Sequence, residues 1–249
     1  MKAVLWKRTF KRGLGYAGTG LLAGLLLFEL YVMARLYLFA SCHIPTGSMT
    51  PALVGGDYII VSLRIPGRRV WQADEGGRYT IERKPGVREV RVGDVVVFNF
   101  PYARDGEKMI LCNDVYYCKR CVALPGQEYR WQDFGRERTI RLPAKGETFA
   151  LDSTNLPDYR KCIEYETQEQ VSWRNDSVWL GDSLISRYRF RHDYYFMRGD
   201  NVNDSYDSRF WGMLPEDFIL GVGKFIWFSC QQETGEIRWE RIFRNIGQN

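Results

Sequence analysis

The sequence predicts a mainly β protein hung from one N-terminal transmembrane helix, with a β-rich subdomain inserted late in the chain. Three observations predict it. One long apolar run, residues 13–39, follows a cluster of basic residues. Beyond residue 57 the apolar residues come in short runs bounded by Gly, Pro, Asn and Asp, the patterning of strands and turns. From 127 to 189 polar and apolar residues alternate, the period of a half-buried strand. The 249 residues are 45% hydrophobic and 15% aromatic, enough for one globular domain with an insert or two small ones.

Lys2, Lys7, Arg8, Lys11 and Arg12 form the basic tail 1–12, with no acid among them. The net charge is +5 and the rest of the chain is near balance, so a nucleic-acid partner has little support. The apolar run is centred on Leu21-Leu22-Ala23-Gly24-Leu25-Leu26-Leu27-Phe28. A bilayer core needs about 20 such residues, and a transmembrane helix is expected over 13–40. Glu29 would cost roughly 3 kcal/mol at mid-bilayer, which the surrounding leucines and aromatics offset. Arg35 can snorkel to the far interface. The basic tail then lies on the cytoplasmic side and the chain exits outward. The run exceeds the apolar core of a cleaved signal peptide, and no clean A-x-A site follows it. Phe39-Ala40-Ser41-Cys42 is only a faint lipoprotein-type cleavage site.

Tyr58-Ile59-Ile60-Val61 and Val95-Val96-Val97-Phe98 read as strands, the second bounded by Gly93-Asp94 and Pro101. Between them, 64–91 is rich in Gly and Arg and reads as a long loop or flexible hairpin. Asn113-Asp114 predicts a turn into a strand over 115–124. Cys118 and Cys121 on that strand face opposite sides, so this C-x-x-C reads as two small core residues, not a redox or metal pair. The insert 127–189 carries turn clusters at Leu156-Pro157-Asp158 and Leu180-Gly181-Asp182. Tyr194-Tyr195-Phe196-Met197 returns to a buried strand, a polar loop follows, and Lys224-Phe225-Ile226-Trp227-Phe228-Ser229 is the last strand. The main β domain is thus 41–126 with 190–249, and 127–189 is cap-like.

Pro45-Thr46-Gly47-Ser48-Met49-Thr50-Pro51 places a serine on a tight segment just past the apolar run. A serine hydroxyl needs a base to become a nucleophile. His43, on the same segment, and His192, beside Asp193, both read as surface or interfacial histidines. No zinc-ligand spacing, Walker loop or Gly-rich dinucleotide loop is present, so no metal and no cofactor is expected. The other option is a lysine, and Lys119 is a candidate because it sits in the strand over 115–124. Its ordinary pKa near ~10.4 forbids the role, but a strand that carries it inward would lower the pKa by desolvation. Taken alone, a strand lysine is more often an exposed edge charge.

The order of motifs decides more than any one of them. It runs apolar anchor, Ser48-Met49-Thr50-Pro51, Gly93-Asp94-Val95-Val96-Val97-Phe98, Lys119-Arg120 before Leu124-Pro125-Gly126, then Gly199-Asp200-Asn201 and Ser205-Tyr206-Asp207-Ser208-Arg209. This closely resembles the bacterial type I signal peptidases, membrane-anchored serine proteases with a Ser-Lys dyad, and covers most of the chain outside the insert. The resemblance implies a signal-peptidase-like β-fold, with Ser48 as nucleophile and Lys119 as general base. Thr46 falls where the family has a Ser that completes the oxyanion hole with the Ser48 N–H. Ser205 matches the serine that hydrogen-bonds and orients the lysine, Asp207 and Arg209 a charged pair bracing the loop under the dyad, and Met49 and Pro51 residues shaping the nucleophile turn. The chain departs from the family at Val202, where an Arg is usual, and at Asn203-Asp204, where Asp-Asn is usual. Ala123, Gln127 and Ala52 replace a common Gly, Asp and Thr.

The implied activity is removal of signal peptides from exported preproteins, cutting after small residues at −1 and −3. The implied setting is the bacterial inner membrane, single-pass, with the active domain on the outer side, a lipid bilayer as partner and the export translocon nearby. Trp211, Met213, Phe225 and Trp227 either extend a membrane-facing surface or are ordinary core, the second reading being favoured. The alternatives are an inactive anchored module that binds export substrates, a Ser-His enzyme, which would carry His in the lysine's place, and a self-cleaving repressor, which would need a DNA-binding domain.

Overall fold

The computed structural model describes residues 2–73, 79–102, 108–111, 115–133 and 135–246. They fall into two compact units, Met1–Ala40 and Ser41–Asn249. The first is the helix α1 (Lys2–Tyr37), which takes in the basic residues as well as the apolar run. Its leucines from Leu21 to Leu30 are exposed. The expected span is not confirmed: no helix among the described residues is long and apolar enough to cross a membrane. Glycines, Thr19, Glu29 and Arg35 all dilute the hydropathy of this stretch.

The second unit is built on a seven-stranded sheet. β1 (Phe39–His43) and β2 (Asp57–Ser62) come first. β3 (Arg69–Ala73) and β4 (Tyr79–Arg83) pair antiparallel, so 64–91 holds the hairpin, the second of the two expected readings. β5 (Val95–Asn99) and β6 (Tyr116–Ala123) follow, while the turn expected at Asn113-Asp114 lies outside the described residues. The insert supplies β7 (Glu128–Asp133), β8 (Arg136–Arg141), β9 (Thr148–Ala150), α2 (Leu156–Thr167), β10 (Val171–Arg174), β11 (Ser177–Leu180), β12 (Ser183–Ile185) and β13 (Arg187–Arg189). The chain returns through β14 (Tyr194–Arg198), α3 (Ser208–Trp211), β15 (Leu214–Pro215) and β16 (Ile219–Ser229). Sheet order is β1-β2-β16-β5-β6-β14-β15. β16 is long enough to pair with β2 on one side and β5 on the other, shifting register along its length.

The sheet follows from residue type. All of β5 is buried, as a central strand of branched and aromatic residues should be. Each such side chain removed from water contributes about 1.5–3 kcal/mol. In β2 burial alternates, turning Asp57, Ile59 and Val61 inward.

One expectation for the insert is corrected. Leu156-Pro157-Asp158 is not a turn but the first turn of α2. Proline is tolerated there because its missing N–H would be unbonded anyway. Leu156, Tyr159, Cys162 and Ile163 recur at helical spacing and are the buried face. The insert also shares the core of the main sheet: Trp131, Ile140 and Leu142 pack in one cluster with Phe98, Phe196 and Met197. Glu166 of α2 ties it further, accepting hydrogen bonds from the hydroxyls of Tyr188 and Tyr194 and the N–H groups of Arg191 and His192.

Candidate active site

Ser48 sits in a tight turn between β1 and β2. The turn is closed by backbone bonds from the Thr50 N–H to the Gly47 carbonyl (3.0 Å) and from the Leu53 N–H to the Met49 carbonyl (2.9 Å). Met49 points into the core at 1% exposure and Pro51 stays outside, following a cis peptide. The Ser48 N–H has no hydrogen-bond partner among the described residues. Thr46 is exposed, and its hydroxyl donates to Ser48 Oγ across a long 3.5 Å.

Lys119 comes to this turn from the middle of β6, paired through Val96 to β5. It is not an edge lysine, since β6 lies between β5 and β14. The residue is 4% exposed, and its Nζ lies 2.5 Å from Ser48 Oγ. The Tyr117 ring covers it at 5.7 Å. Burial lowers the amine's pKa below the ordinary lysine value, against the opposing fields of Cys118, Asp207, Asp204 and Asp200. Burial also pushes the Cys118 thiol up to about 12, which leaves it protonated and inert beside the lysine.

The loop after β14 clamps the turn from the other side. The Asn201 N–H donates to the Ser48 carbonyl (3.1 Å), and Asn201 Nδ2 donates to the Gly47 carbonyl (3.3 Å). Asp207 is fully buried and accepts from the Gly199 N–H (3.0 Å) and from Arg209 Nε and Nη2 (2.8 and 2.9 Å). Its carboxyl is held below the usual range: burial opposes this, but the bonds from Arg209 and Gly199 outweigh it. Arg209 also donates to the carbonyls of Val202 and Ser205, so the pair spans the loop. Ser205 departs from expectation. It is buried, and among the described residues its hydroxyl makes no hydrogen bond to Lys119. Ala123 is buried in β6, and Gln127 accepts from the Leu124 N–H (3.0 Å), so these departures sit in the turn into the insert.

Ser48, Thr46, Met49 and Lys119 line one cleft of about 310 Å³, together with Cys42, Ile44, Tyr117 and Asp204. His43 also lines it, but its ring packs at 4.7 Å from that of Tyr58, and no hydrogen bond joins it to Ser48 among the described residues. His192 is not among the cleft residues. Its Nδ1 lies 3.3 Å from Asp217 and 3.8 Å from Glu216. Burial lowers its pKa, but these acids more than compensate and the net shift is upward. Together the three offer ligand atoms within 4.8 Å of one another, a grouping that could accept a cation. Protein partners already meet it, since the Tyr165 hydroxyl donates to Asp217 (3.1 Å). Of the four apolar residues with two readings, Trp211 and Met213 are core, Phe225 is half-buried and Trp227 is exposed, its indole N–H bonded to Ser41.

Three supports of the site were given no role by the sequence, although Arg120, Asp200 and Gly199 lie within motifs quoted from it. Arg120 makes a bidentate pair with Asp200 (2.7 and 2.5 Å), joining β6 to the loop. Asp57, fully buried, accepts from Arg241 (2.9 and 2.6 Å), Ser229 and the Val54 N–H, and Arg241 reaches the Ala52 carbonyl behind the nucleophile. Gly199 is the third. A Cβ there would run into Ser205 and the Ser48 carbonyl oxygen. The only signal in the sequence was its place at the head of Gly-Asp-Asn.

Residues 18–228 match the family model described as signal peptidase, peptidase S26. Signal peptidase I of Pseudomonas aeruginosa is 30% identical over 227 residues, covering 82% of this chain and 69% of the relative. Signal peptidase I of Haemophilus influenzae is 27% identical, covering 86% and 71%. That of Buchnera aphidicola from Schizaphis graminum is 25% identical, covering 86% and 77%.

Proposed function

The chain belongs to the signal peptidase family, peptidase S26, and on that footing we propose that Ser48 and Lys119 are the nucleophile and general base with which it cuts signal peptides from exported preproteins. The observation that carries this reading is the 2.5 Å approach of a buried, pKa-lowered amine to a serine hydroxyl. The neutral Nζ takes the Ser48 proton as Oγ bonds to the scissile carbonyl carbon. Two donors are available to the developing oxyanion: the Ser48 N–H, unpartnered among the described residues, and the Thr46 hydroxyl, 3.5 Å from Ser48 Oγ. One such donor is typically worth about 3–4 kcal/mol. Lys119 then returns the proton to the leaving amine, and the mature protein departs. Water, deprotonated by the same lysine, releases the signal peptide from Oγ.

The substrate segment is read as extended, with small residues at −1 and −3 facing the apolar part of the cleft around Ile44, Met49 and Tyr117. Anchoring belongs to the same proposal. Its support is the run 13–39 behind the basic residues, which would place Ser48 within about 35 Å of the outer membrane surface, on the plane where a signal peptide's cleavage site emerges.

The test is cleavage of a peptide with Ala at −1 and −3, in detergent. Ser48→Ala and Lys119→Ala should each lower kcat/KM on the order of 10³-fold or more, while Ser62→Ala on β2 should cut normally. Normal rates in both dyad variants would dismiss the assignment.

A further inference from the structure

Of the charged groups lining the cleft, one has no task in the scheme above. Asp204 is exposed on the cleft wall, in a lining otherwise made mostly of apolar and aromatic side chains. Its position is set by the backbone. The Asp204 N–H donates to the Asn201 carbonyl (3.1 Å), and Asn201 is in turn bonded to the Gly47 and Ser48 carbonyls. The backbone that carries the carboxylate is therefore tied to the nucleophile turn, and Asp204 and Ser48 line the same cleft.

Three carboxylates, Asp200, Asp204 and Asp207, direct a field onto Lys119. Asp200 is offset by Arg120 and Asp207 by Arg209, each within hydrogen-bond distance. The Asp204 carboxylate has no hydrogen-bond or ion-pair partner among the described residues. An uncompensated anion here works against a base that must be neutral, so the free enzyme carries a cost that a bound cation would remove.

We propose that Asp204 is a specificity-determining residue, selecting preproteins that carry a Lys or Arg side chain close to the scissile bond. The substrate cation would complete the pair that the protein leaves open, gaining attraction at the cleft wall and cancelling the field on Lys119. An acidic side chain at the same place is repelled. This inference rests on the peptidase reading above and deepens it.

The experiment uses the full chain in detergent and a parent peptide with Ala at −1 and −3. Lys or Glu is placed singly at each other position from −5 to +3, and the ratio of kcat/KM for Lys over Glu is read within each variant. A solvent-exposed pair supports a few-fold effect on each side. The wild type should show a ratio of about 5–10 at one or two neighbouring positions, shrinking as salt is raised. Asp204→Asn should bring the ratio to about 1, and Asp204→Lys should invert it. A wild-type ratio near 1 at every position, or one that Asp204→Asn leaves unchanged, overturns the proposal. If the wild type fails to cut the parent peptide at all, the peptidase reading falls, and this inference with it.

Discussion

Lys119 shows how one residue can serve the site at the expense of the fold. An amine 4% exposed among a Tyr ring, a thiol and β-sheet backbone is poorly solvated as a cation. Burial therefore holds its pKa below the ordinary ~10.4. The sign for activity follows: the base is competent when neutral, so kcat/KM should rise with pH through an apparent pKa below ~10.4 and flatten above it. A profile flat from mildly acidic to alkaline pH would contradict this role. The sign for stability runs in the same direction. Between the lowered folded pKa and ~10.4 the unfolded chain binds the extra proton, so this residue's contribution to stability improves as pH rises through that window. Asp207 gives the same slope in the acid range. Its lowered carboxyl contributes stability above the unfolded value of ~3.9, which is lost as the pH falls through the folded pKa.

At the level of elements, the site is a meeting of three pieces: the turn after β1, the middle of β6 and the loop between β14 and α3. None of them holds its geometry alone. The β14–α3 loop is the clamp, and at Gly199 it leaves no room for a Cβ beside Ser205 and the Ser48 carbonyl oxygen. Adding a methyl group forces the loop away from Ser48, and misplacement on the scale of 1 Å costs about 100-fold in rate. Gly199→Ala should thus lower kcat/KM of the peptide assay by about 100-fold, with kcat taking most of the loss. An alanine variant within a few-fold of the wild type would show that the loop does not position the dyad. The insert is tied to the same framework through Glu166 and through Trp131, whose ring lies 5.1 Å from that of Phe196.

For the molecule as a whole, the anchoring proposal concerns the unit Met1–Ala40 alone. Its support is the exposure of the leucines from Leu21 to Leu30, in the apolar run that follows the basic residues. The full chain, expressed in bacteria, should stay with the membrane fraction after alkaline carbonate extraction, and a chain starting at Ser41 should be released. Release of the full chain under those conditions would remove the anchor from the account.

Much of this was legible in the residue order, because strands and turns declare themselves locally. The all-buried Val95-Val96-Val97-Phe98 and the Pro- and Gly-flanked Ser48 segment were readable from their neighbours alone. So was the candidacy of Lys119, once the motifs were taken in order. α2 was misread because Pro157 signals a break and a helix start equally well, and only the burial of Tyr159, Cys162 and Ile163 against the sheet selects the helix. The sequence by itself determined which side chains were available for proton transfer and the strands that would carry them. Tertiary structure alone decided that Nζ and Oγ meet, that Asp57 and Arg241 brace the turn, and that, among the described residues, Ser205 has no bond to the lysine and the Asp204 carboxylate no partner. The reason is physical: strand patterning is set over a few residues, whereas a 2.5 Å contact across 71 positions of chain depends on how β6 and the nucleophile turn are packed together.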